Sequence, residues 1–279
     1  MRHWVIAQLP ARLGFGRIDA IAEDLRHNFE LERGLAARLN AASASQRRSL
    51  YSEVYDEYFR QARNVKHTID DAREIARQVR LATRFLPKDG RYLEIGAGTC
   101  RVAAQIAKSA KVVYAVEVSA AIIPLDAGVE VVISDGVTIP VTAESVDLVF
   151  SNQLMEHLHP DDAGEQVRNI RAALVDGGKY VCITPNRLTG PHDVSKHFTD
   201  VAVGFHLREY TIAELRTLFL SSGFRDARVC LALGGEVLAI LPGSFYVVIE
   251  RVLARLPRRV RRKGLVRKLL DPGPVVAFR

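Results

Sequence analysis

The chain has 279 residues, of which 48% are hydrophobic and 25% are charged, a composition typical of a globular protein with a sizeable core. Its three cysteines, Cys100, Cys182 and Cys230, are too few and too widely spaced to indicate a disulfide framework or a paired-cysteine zinc site. No stretch reads as a membrane span and the start lacks signal-peptide features, so a reducing cytoplasm is the expected compartment.

Helices are predicted before the first strand. Apolar residues recur with a helical period over 17–40, and one or two further helices are expected over 51–85. The spacing of three and four residues places an aromatic set on one face, namely Tyr51, Tyr55, Tyr58 and Phe59. We therefore expect a helical N-terminal extension over residues 1–85 that packs on the body through this face.

From residue 92 the pattern alternates between strands and helices. Strands are predicted at 92–95, 112–118, 129–134, 146–151, 179–185 and 227–233, with helices at 99–109, 161–175 and 211–222. We interpret 229–249 as a strand followed by a buried helix, and "PVVAF" as a final strand. This alternation predicts a parallel sheet with helices on both faces.

The net charge of +7 is concentrated near the C-terminus. Ten lysines and arginines and one aspartate lie between Arg251 and Arg279, a net +9 that leaves −2 for the rest of the chain. The preceding stretch places apolar residues on one helix face, namely Phe245, Val248, Ile249, Val252, Leu253 and Leu256. Packing of these helices on the sheet edge is expected first, peripheral contact with an anionic membrane second, and nucleic-acid binding third.

A glycine turn, "EIGAGT", follows the first strand. Gly96 and Gly98 allow a backbone with positive φ and close approach of a ligand. The dinucleotide motif needs a third glycine where Arg101 stands, and no Walker loop is present. The carboxylate of Glu94 before the turn suits a ligand with a cationic ammonium group.

Acidic residues also end the next two predicted strands. Glu117 can accept both hydroxyls of a ribose, and Asp135 can accept from an exocyclic adenine amine. The fourth strand then runs into "SNQLMEHLHP". Ammonium, ribose and adenine in this order describe S-adenosylmethionine.

These blocks together resemble one family. "YLEIGAGTC", "YAVEVS", "VISDGV", "VDLVFSNQLMEHLHPDD" and "ALVDGGKYVCITPN" are similar to the class I S-adenosylmethionine-dependent methyltransferases, in their generic small-molecule (type 11/23-like) branch, over residues 80–233. The resemblance implies an α/β, Rossmann-like, doubly wound and mostly parallel seven-stranded sheet. It divides the chain into an N-terminal extension or lid (1–85) and a methyltransferase domain (86–279) with a basic helical insertion at about 235–270.

The resemblance also implies a set of cofactor-binding residues. Glu94, Gly96 and Gly98 line the methionine end, Glu117 binds ribose, Asp135 binds adenine, and Asn152 lies near the methyl group. Their neighbours Ala97, Val118, Gly136 and Gln153 complete the set. Two positions depart from the family pattern, because Cys100 replaces a usual glycine and Pro124 falls where a helix is normally found.

A hydroxyl acceptor must lose a proton, and histidine suits that task. We expect His157 and His206 nearest to the reaction and His197 third, with a purely bracing role as the alternative for each. No metal is expected, because Gln153 stands where metal-binding relatives have the first carboxylate of E-x-x-E-H. Nucleic-acid base methylation is disfavoured, since "SNQL" differs from the "NPPY" type and no Pro-Cys pair is present.

The predicted activity is methyl transfer to a small-molecule, sugar- or lipid-linked acceptor, at oxygen. Two alternatives stay open. One is N- or C-methylation of a metabolite, and the other is a catalytically silent scaffold that binds S-adenosylmethionine. The oligomeric state does not follow from the sequence.

Overall fold

The structure, a computed structural model, describes residues 15–63 and 71–279. Residues 1–14 and 64–70 of the predicted N-terminal extension lie outside the described residues. The strands are β1 (Arg91–Ile95), β2 (Val112–Glu117), β3 (Val131–Ile133), β4 (Val146–Asn152), β5 (Leu174–Ile183), β6 (Asp226–Leu233), β7 (Glu236–Pro242) and β8 (Val275–Phe278). They form one sheet in the order β3-β2-β1-β4-β5-β8-β6-β7.

The first helices in chain order are α1 (Phe15–Ala41), α2 (Ala44–Gln61), α3 (Ala72–Phe85), α4 (Arg101–Ile106), α5 (Pro160–Ala173), α6 (Ile212–Ser221) and α7 (Gly243–Ala254). Two short helices follow, α8 (Arg258–Arg261) and α9 (Gly264–Leu270). The predicted α/β Rossmann-like fold is confirmed. No helix within the described ranges is long and apolar enough to cross a bilayer.

Strand β1 lies at the centre of the parallel part of the sheet. Leu93 is opposite Tyr114 of β2 on one side and Val149 of β4 on the other. Because all three strands run in one direction, their carboxyl ends at Ile95, Glu117 and Asn152 meet at one edge, where open α/β sheets bind ligands. The sheet therefore gathers the predicted strand tips in one place.

The sheet has eight strands, so the prediction of seven was wrong. Strand β7 replaces the first part of the expected basic helical insertion and pairs antiparallel with β6. Gly234 and Gly235 join the two strands with φ values of +60° and +90°, the left-handed backbone that a tight hairpin turn requires. Helical structure in the insertion begins only at Gly243.

The final strand was predicted correctly. Strand β8 lies between β5 and β6 and runs antiparallel to both, with Val181 opposite Val276 and Arg228 opposite the same residue. The segment β7–α7–α8–α9 therefore lies between β6 and β8 in the chain, and its description as an insertion stays a prediction. The start of α6 also agrees with expectation, because Thr211 and Glu214 form a capping box.

Candidate functional site

The turn after β1 is held in a left-handed backbone. Gly96, Gly98 and Cys100 have φ values of +68°, +54° and +58°. The amides of Gly96 and Ala97 both donate to the Val116 carbonyl oxygen, at 2.9 and 3.1 Å. This conformation explains why a glycine is usual at position 100, since a side chain there is strained.

Glu117, at the end of β2, is bonded to the same turn. Its Oε2 accepts from the Gly98 amide at 2.8 Å, and its Oε1 accepts from the amides of Val118 and Ser119 at 2.7 and 3.2 Å. Burial raises the pKa of Glu117, and these three donors act against that rise. A carboxylate offers about four acceptor positions, so Glu117 retains capacity for a ribose hydroxyl.

Glu94 is buried with one oxygen unpaired. Its Oε2 has no hydrogen-bond partner among the described residues. Burial, reinforced by the charge of Glu117, raises the pKa of Glu94 to about 8. A buried carboxyl group in this state favours a cationic ligand, which would stabilise its ionised form.

A cavity of about 560 Å³ opens over the glycine turn. Most of the predicted cofactor residues line it, together with one predicted histidine: Glu94, Gly96, Ala97, Gly98, Glu117, Val118, Gly136, Asn152, Gln153 and His157. Asp135, His197 and His206 are not among the lining residues. The structure thus brings together the tips of β1, β2 and β4 around one space.

Asp135 is not part of the cavity lining, although its neighbours Ser134 and Gly136 are. The Asp135 carboxylate pairs with Arg48 at 2.7 Å and accepts from the Thr138 amide at 2.6 Å. Burial alone would raise the pKa of Asp135, but these donors outweigh burial and lower that pKa. The predicted contact between Asp135 and adenine stays a prediction, and the Arg48 pair competes with it.

Helix α2 forms one wall of the cavity through its predicted aromatic face, namely Tyr51, Tyr55, Tyr58 and Phe59. The helix is fastened by buried Arg47, which donates from Nε and Nη2 to the two oxygens of Asp162, each at 2.7 Å. Tyr51 also donates to Asp162 at 2.8 Å. This face both packs on the body and covers the candidate site, so the two expectations for it are compatible.

His157 lies at the cavity wall with one ring nitrogen committed. Its Nδ1 lies 3.0 Å from the Phe205 carbonyl oxygen. Because a carbonyl only accepts, Nδ1 carries the proton and Nε2 keeps its lone pair. Burial lowers the pKa of His157 to about 3, so the ring is neutral at physiological pH.

His206 is buried behind His157, with 4.9 Å between the ring centroids. Burial would lower the pKa of His206, but the hydrogen bond to Glu209 at 2.8 Å and the charge of Glu156 outweigh it and raise that pKa. His197 lies in a 3₁₀ turn of the loop after β5, outside the cavity lining. Of the three histidines, His157 alone therefore meets the candidate site directly.

Glu156, His157 and His206 offer ligand atoms within 4.8 Å of one another. Several of their atoms already have protein partners, because Glu156 accepts from Thr184 at 2.8 Å and His206 contacts Glu209. Gln153 supplies an amide where a hard cation prefers a carboxylate. The expectation of no metal stays a prediction.

Comparisons with known proteins agree with this geometry. Residues 93–182 match a family model described as a methyltransferase domain. A protein from two strains of Mycobacterium tuberculosis, described as a probable S-adenosylmethionine-dependent methyltransferase, is 32% identical over 156 residues. Residues 93–182 therefore have the sequence pattern of a methyltransferase domain, and the chain resembles S-adenosylmethionine-dependent methyltransferases over part of its length. The alignment covers 54% of each protein, so the chain spans about half the length of the curated relatives it matches.

Solved structures share the fold of this methyltransferase domain at low identity. An S-adenosylmethionine-dependent methyltransferase from Archaeoglobus fulgidus aligns with a TM-score of 0.51 and 17% identity, over 82% of this chain and all of that one. The 1,6-didemethyltoxoflavin-N1-methyltransferase of Burkholderia thailandensis aligns with a TM-score of 0.52 and 19% identity, over 85% and 89% of the two chains. These similarities establish the architecture.

S-adenosylmethionine, the cofactor named for the curated relatives, fits the residues present. The unpaired oxygen of Glu94 offers a partner for its cationic end. The glycine turn leaves space at Gly98, where an added Cβ would meet only Ile122, at 4.0 Å, whereas a Cβ at Gly96 would lie 3.2 Å from Leu154 Cδ1 and crowd the turn. Glu94, Gly96, Gly98 and Glu117 would hold the molecule.

Sequence reasoning missed Phe205 in the methyltransferase domain. Phe205 lines the cavity, stacks edge-on with His157 at 5.7 Å between ring centroids, and fixes the His157 tautomer through its carbonyl oxygen. It lies within "GFHLREYT", a segment singled out only for its histidine. The signal was an aromatic residue beside that histidine. Gln78 of α3 also lines the cavity, and no motif marks it.

Proposed function

We propose that this protein transfers the methyl group of S-adenosylmethionine to an oxygen of a small-molecule, sugar- or lipid-linked acceptor. The observation that carries the proposal is the state of His157. Its ring is neutral, its Nδ1 is held by the Phe205 carbonyl, and it lines the cavity that includes the glycine turn. With a pKa of about 3 this imidazole is a weak base, but its free lone pair can still take the hydroxyl proton once the new bond to carbon makes the acceptor oxygen strongly acidic.

The methyl group, the bonding electron pair and the hydroxyl proton each have an acceptor in this reaction. When bound, S-adenosylmethionine supplies a methyl group activated by its sulfonium. The acceptor oxygen forms the new bond to the methyl carbon while the carbon–sulfur bond breaks, and the sulfur keeps that electron pair. His157 Nε2 takes the hydroxyl proton as the new carbon–oxygen bond forms.

The walls of the cavity support a small organic acceptor. Tyr55 and Phe205 lie against His157, at 6.1 and 5.7 Å between ring centroids, and Tyr58 and Phe59 extend the same aromatic wall. Such an apolar wall excludes water, and electrostatic interactions within the site are stronger when water is excluded. We further propose that α2 acts as the lid of the site, as part of an N-terminal extension that ends near residue 85.

The test is methyl transfer from isotope-labelled S-adenosylmethionine to hydroxyl compounds and cell-extract fractions, comparing the wild type with His157→Gln and His197→Gln. We expect His157→Gln to bind the cofactor normally and to lose about 100-fold in rate, the range of general-base catalysis. His197→Gln should transfer at the wild-type rate. Label on nitrogen or carbon, or full activity of His157→Gln, would overturn the assignment, and cofactor binding without any labelled product would favour the scaffold.

A further inference from the structure

An apolar stripe on α7 faces outward. Phe245, Val248 and Val252 are 56%, 57% and 58% exposed, and their spacing of three and four residues places them on one side of the helix. The sequence pattern predicted that these residues would pack with the sheet. An exposed apolar stripe on a helix otherwise anchored in the fold indicates an interaction surface.

The opposite side of α7 is fixed in place. Glu250 is buried, and its carboxylate accepts from the amides of Ile212 and Ala213 at 2.8 and 2.9 Å, which caps the start of α6. Tyr246, one turn earlier, is also buried and donates to the Leu269 carbonyl oxygen. Rotating α7 to bury its apolar stripe would expose Glu250 and break its hydrogen bonds to the first amides of α6, so the stripe stays outside.

Cations surround the stripe without carboxylate partners. Among the described residues no ion pair forms at eight of them: Arg251, Arg255, Arg259, Arg261, Arg262, Lys263, Arg267 and Lys268. Arg258, in contrast, pairs with Asp200. Burial, followed by the charge of the neighbouring Arg258, lowers the pKa of Arg262. We call the stripe and these eight cations the docking surface.

We propose that the docking surface binds the anionic phospholipid surface of a membrane. Lipid headgroups neutralise the cations, and the boundary between headgroups and acyl chains accepts Phe245, Val248 and Val252. Nucleic acid would match the charges but leave these three side chains in water. A second copy of the chain would bring two sets of cations together, which like-charge repulsion opposes.

The docking surface lies near the edge of the sheet that carries the cavity. Asp271, just after α9, accepts from the Asn186 amide at 2.9 Å and from Thr189 Oγ1 at 2.5 Å, both in the loop that leaves β5. The Arg258–Asp200 pair joins α8 to the same loop. Membrane binding would therefore hold the carboxyl edge of the sheet towards the lipid surface, where a lipid-linked acceptor is presented.

The test is co-sedimentation of the full chain with vesicles of phosphatidylcholine, alone and mixed with phosphatidylglycerol. We expect the protein to pellet with the mixed vesicles only, and to be released by added salt. Replacing Arg255, Arg259 and Lys263 with Gln should weaken partitioning about 100-fold, since each cation near the surface contributes about one kcal/mol. Phe245→Ser with Val252→Ser should weaken it about tenfold.

Matched variants control for charge and for hydrophobicity. Lys88, Lys108 and Lys111 are exposed cations at the opposite edge of the sheet, and their replacement with Gln removes the same charge. Leu125→Ser with Ile133→Ser removes two exposed apolar side chains beside β3, at the far end of the sheet. Wild-type partitioning of both controls supports the proposal.

Three results would overturn the proposal. The first is that the protein does not pellet with anionic vesicles, and the second is that the control variants lose as much partitioning as the docking-surface variants. The third is that the protein binds a nucleic-acid duplex more tightly than vesicles and that the Phe245→Ser, Val252→Ser variant keeps this duplex binding in full. Sedimentation velocity adds a check, because a stable dimer disrupted by that double variant would assign the stripe to a second copy instead. None of these measurements depends on methyl transfer, so they stand apart from the proposed function.

Discussion

Glu117 Oε2 accepts a hydrogen bond of 2.8 Å from the Gly98 amide, so the last residue of β2 is bonded directly to the turn that follows β1. One buried carboxylate thus shapes the glycine turn and faces the cavity. Because Glu117 is also the residue predicted to bind ribose, its substitution tests the turn and the predicted contact together.

Glu117→Gln should weaken both the fold and cofactor binding. The amide keeps the size of the side chain but turns one acceptor oxygen into a donor that faces the N–H of a backbone amide. We expect about 1–3 kcal/mol less free energy of unfolding, and at least about tenfold weaker binding of S-adenosylmethionine. Chemical denaturation and calorimetry measure the two effects. Glu130→Gln, at an exposed position, is the control and should change neither.

Cofactor binding should release a proton from Glu94. Burial raises the pKa of Glu94 to about 8, so the ligand-free carboxyl group is protonated at pH 7. A bound cation stabilises the carboxylate and lowers that pKa, so affinity should rise with pH up to about 8 and then level off. Calorimetry in buffers of different ionisation enthalpy measures the released proton. Glu94→Gln should abolish the buffer dependence, and its persistence in that variant would contradict the assignment.

Gly136→Ala should loosen α2. A Cβ at this position would lie 2.9 Å from Tyr51 Cδ2, and the residue has a φ of +82°. Gly177→Ala is the matched control, since Gly177 has a φ of +76° with no atom within 4 Å of the added Cβ. We expect both variants to lose about 1 kcal/mol from backbone strain, and Gly136→Ala alone to lose more and to bind cofactor more weakly. Equal losses of stability in the two variants would show that Tyr51 moves away from the added Cβ without destabilising the fold.

His157 should make stability depend on pH. Its pKa of about 3 in the fold lies below the usual value of 6.5, so the unfolded chain binds a proton first as pH falls. The part of the free energy of unfolding that depends on a neutral His157 is fully present above pH 6.5. It is lost as pH falls from 6.5 towards 3, by up to about 1.4 kcal/mol per pH unit. Urea denaturation of the wild type and His157→Gln at stepped pH values isolates this term. Parallel pH profiles would contradict the low pKa.

The features that the sequence predicts well are those that depend on residues close together in the chain. The "EIGAGT" turn, the acidic strand tips and the Thr211–Glu214 capping box depend on residues close together in the chain, and the structure bears out their backbone geometry. The contact between Glu117 and Gly98 also follows, because neighbouring parallel strands end at one edge. These features require no knowledge of distant packing.

Other features depend on contacts between distant parts of the chain. Asp135 looks like the other acidic tips, yet Arg48 of α2 pairs with it across 87 positions of sequence. The apolar pattern of 236–242 does not by itself distinguish strand from helix, and only the Gly234–Gly235 turn marked a hairpin. The outward face of α7 is set by buried Glu250, whose partners at the start of α6 lie 37 and 38 positions away.

Calorimetric titration with S-adenosylhomocysteine tests the central claim most directly. The wild type should give saturable heat at one site, and Gly96→Val should abolish it, because a side chain there would lie 3.2 Å from Leu154 Cδ1 and fill the turn. Gly177→Val carries a similar φ strain away from the cavity and should bind like the wild type. No heat with the wild type, or unchanged affinity in Gly96→Val, would contradict a cofactor site at the glycine turn.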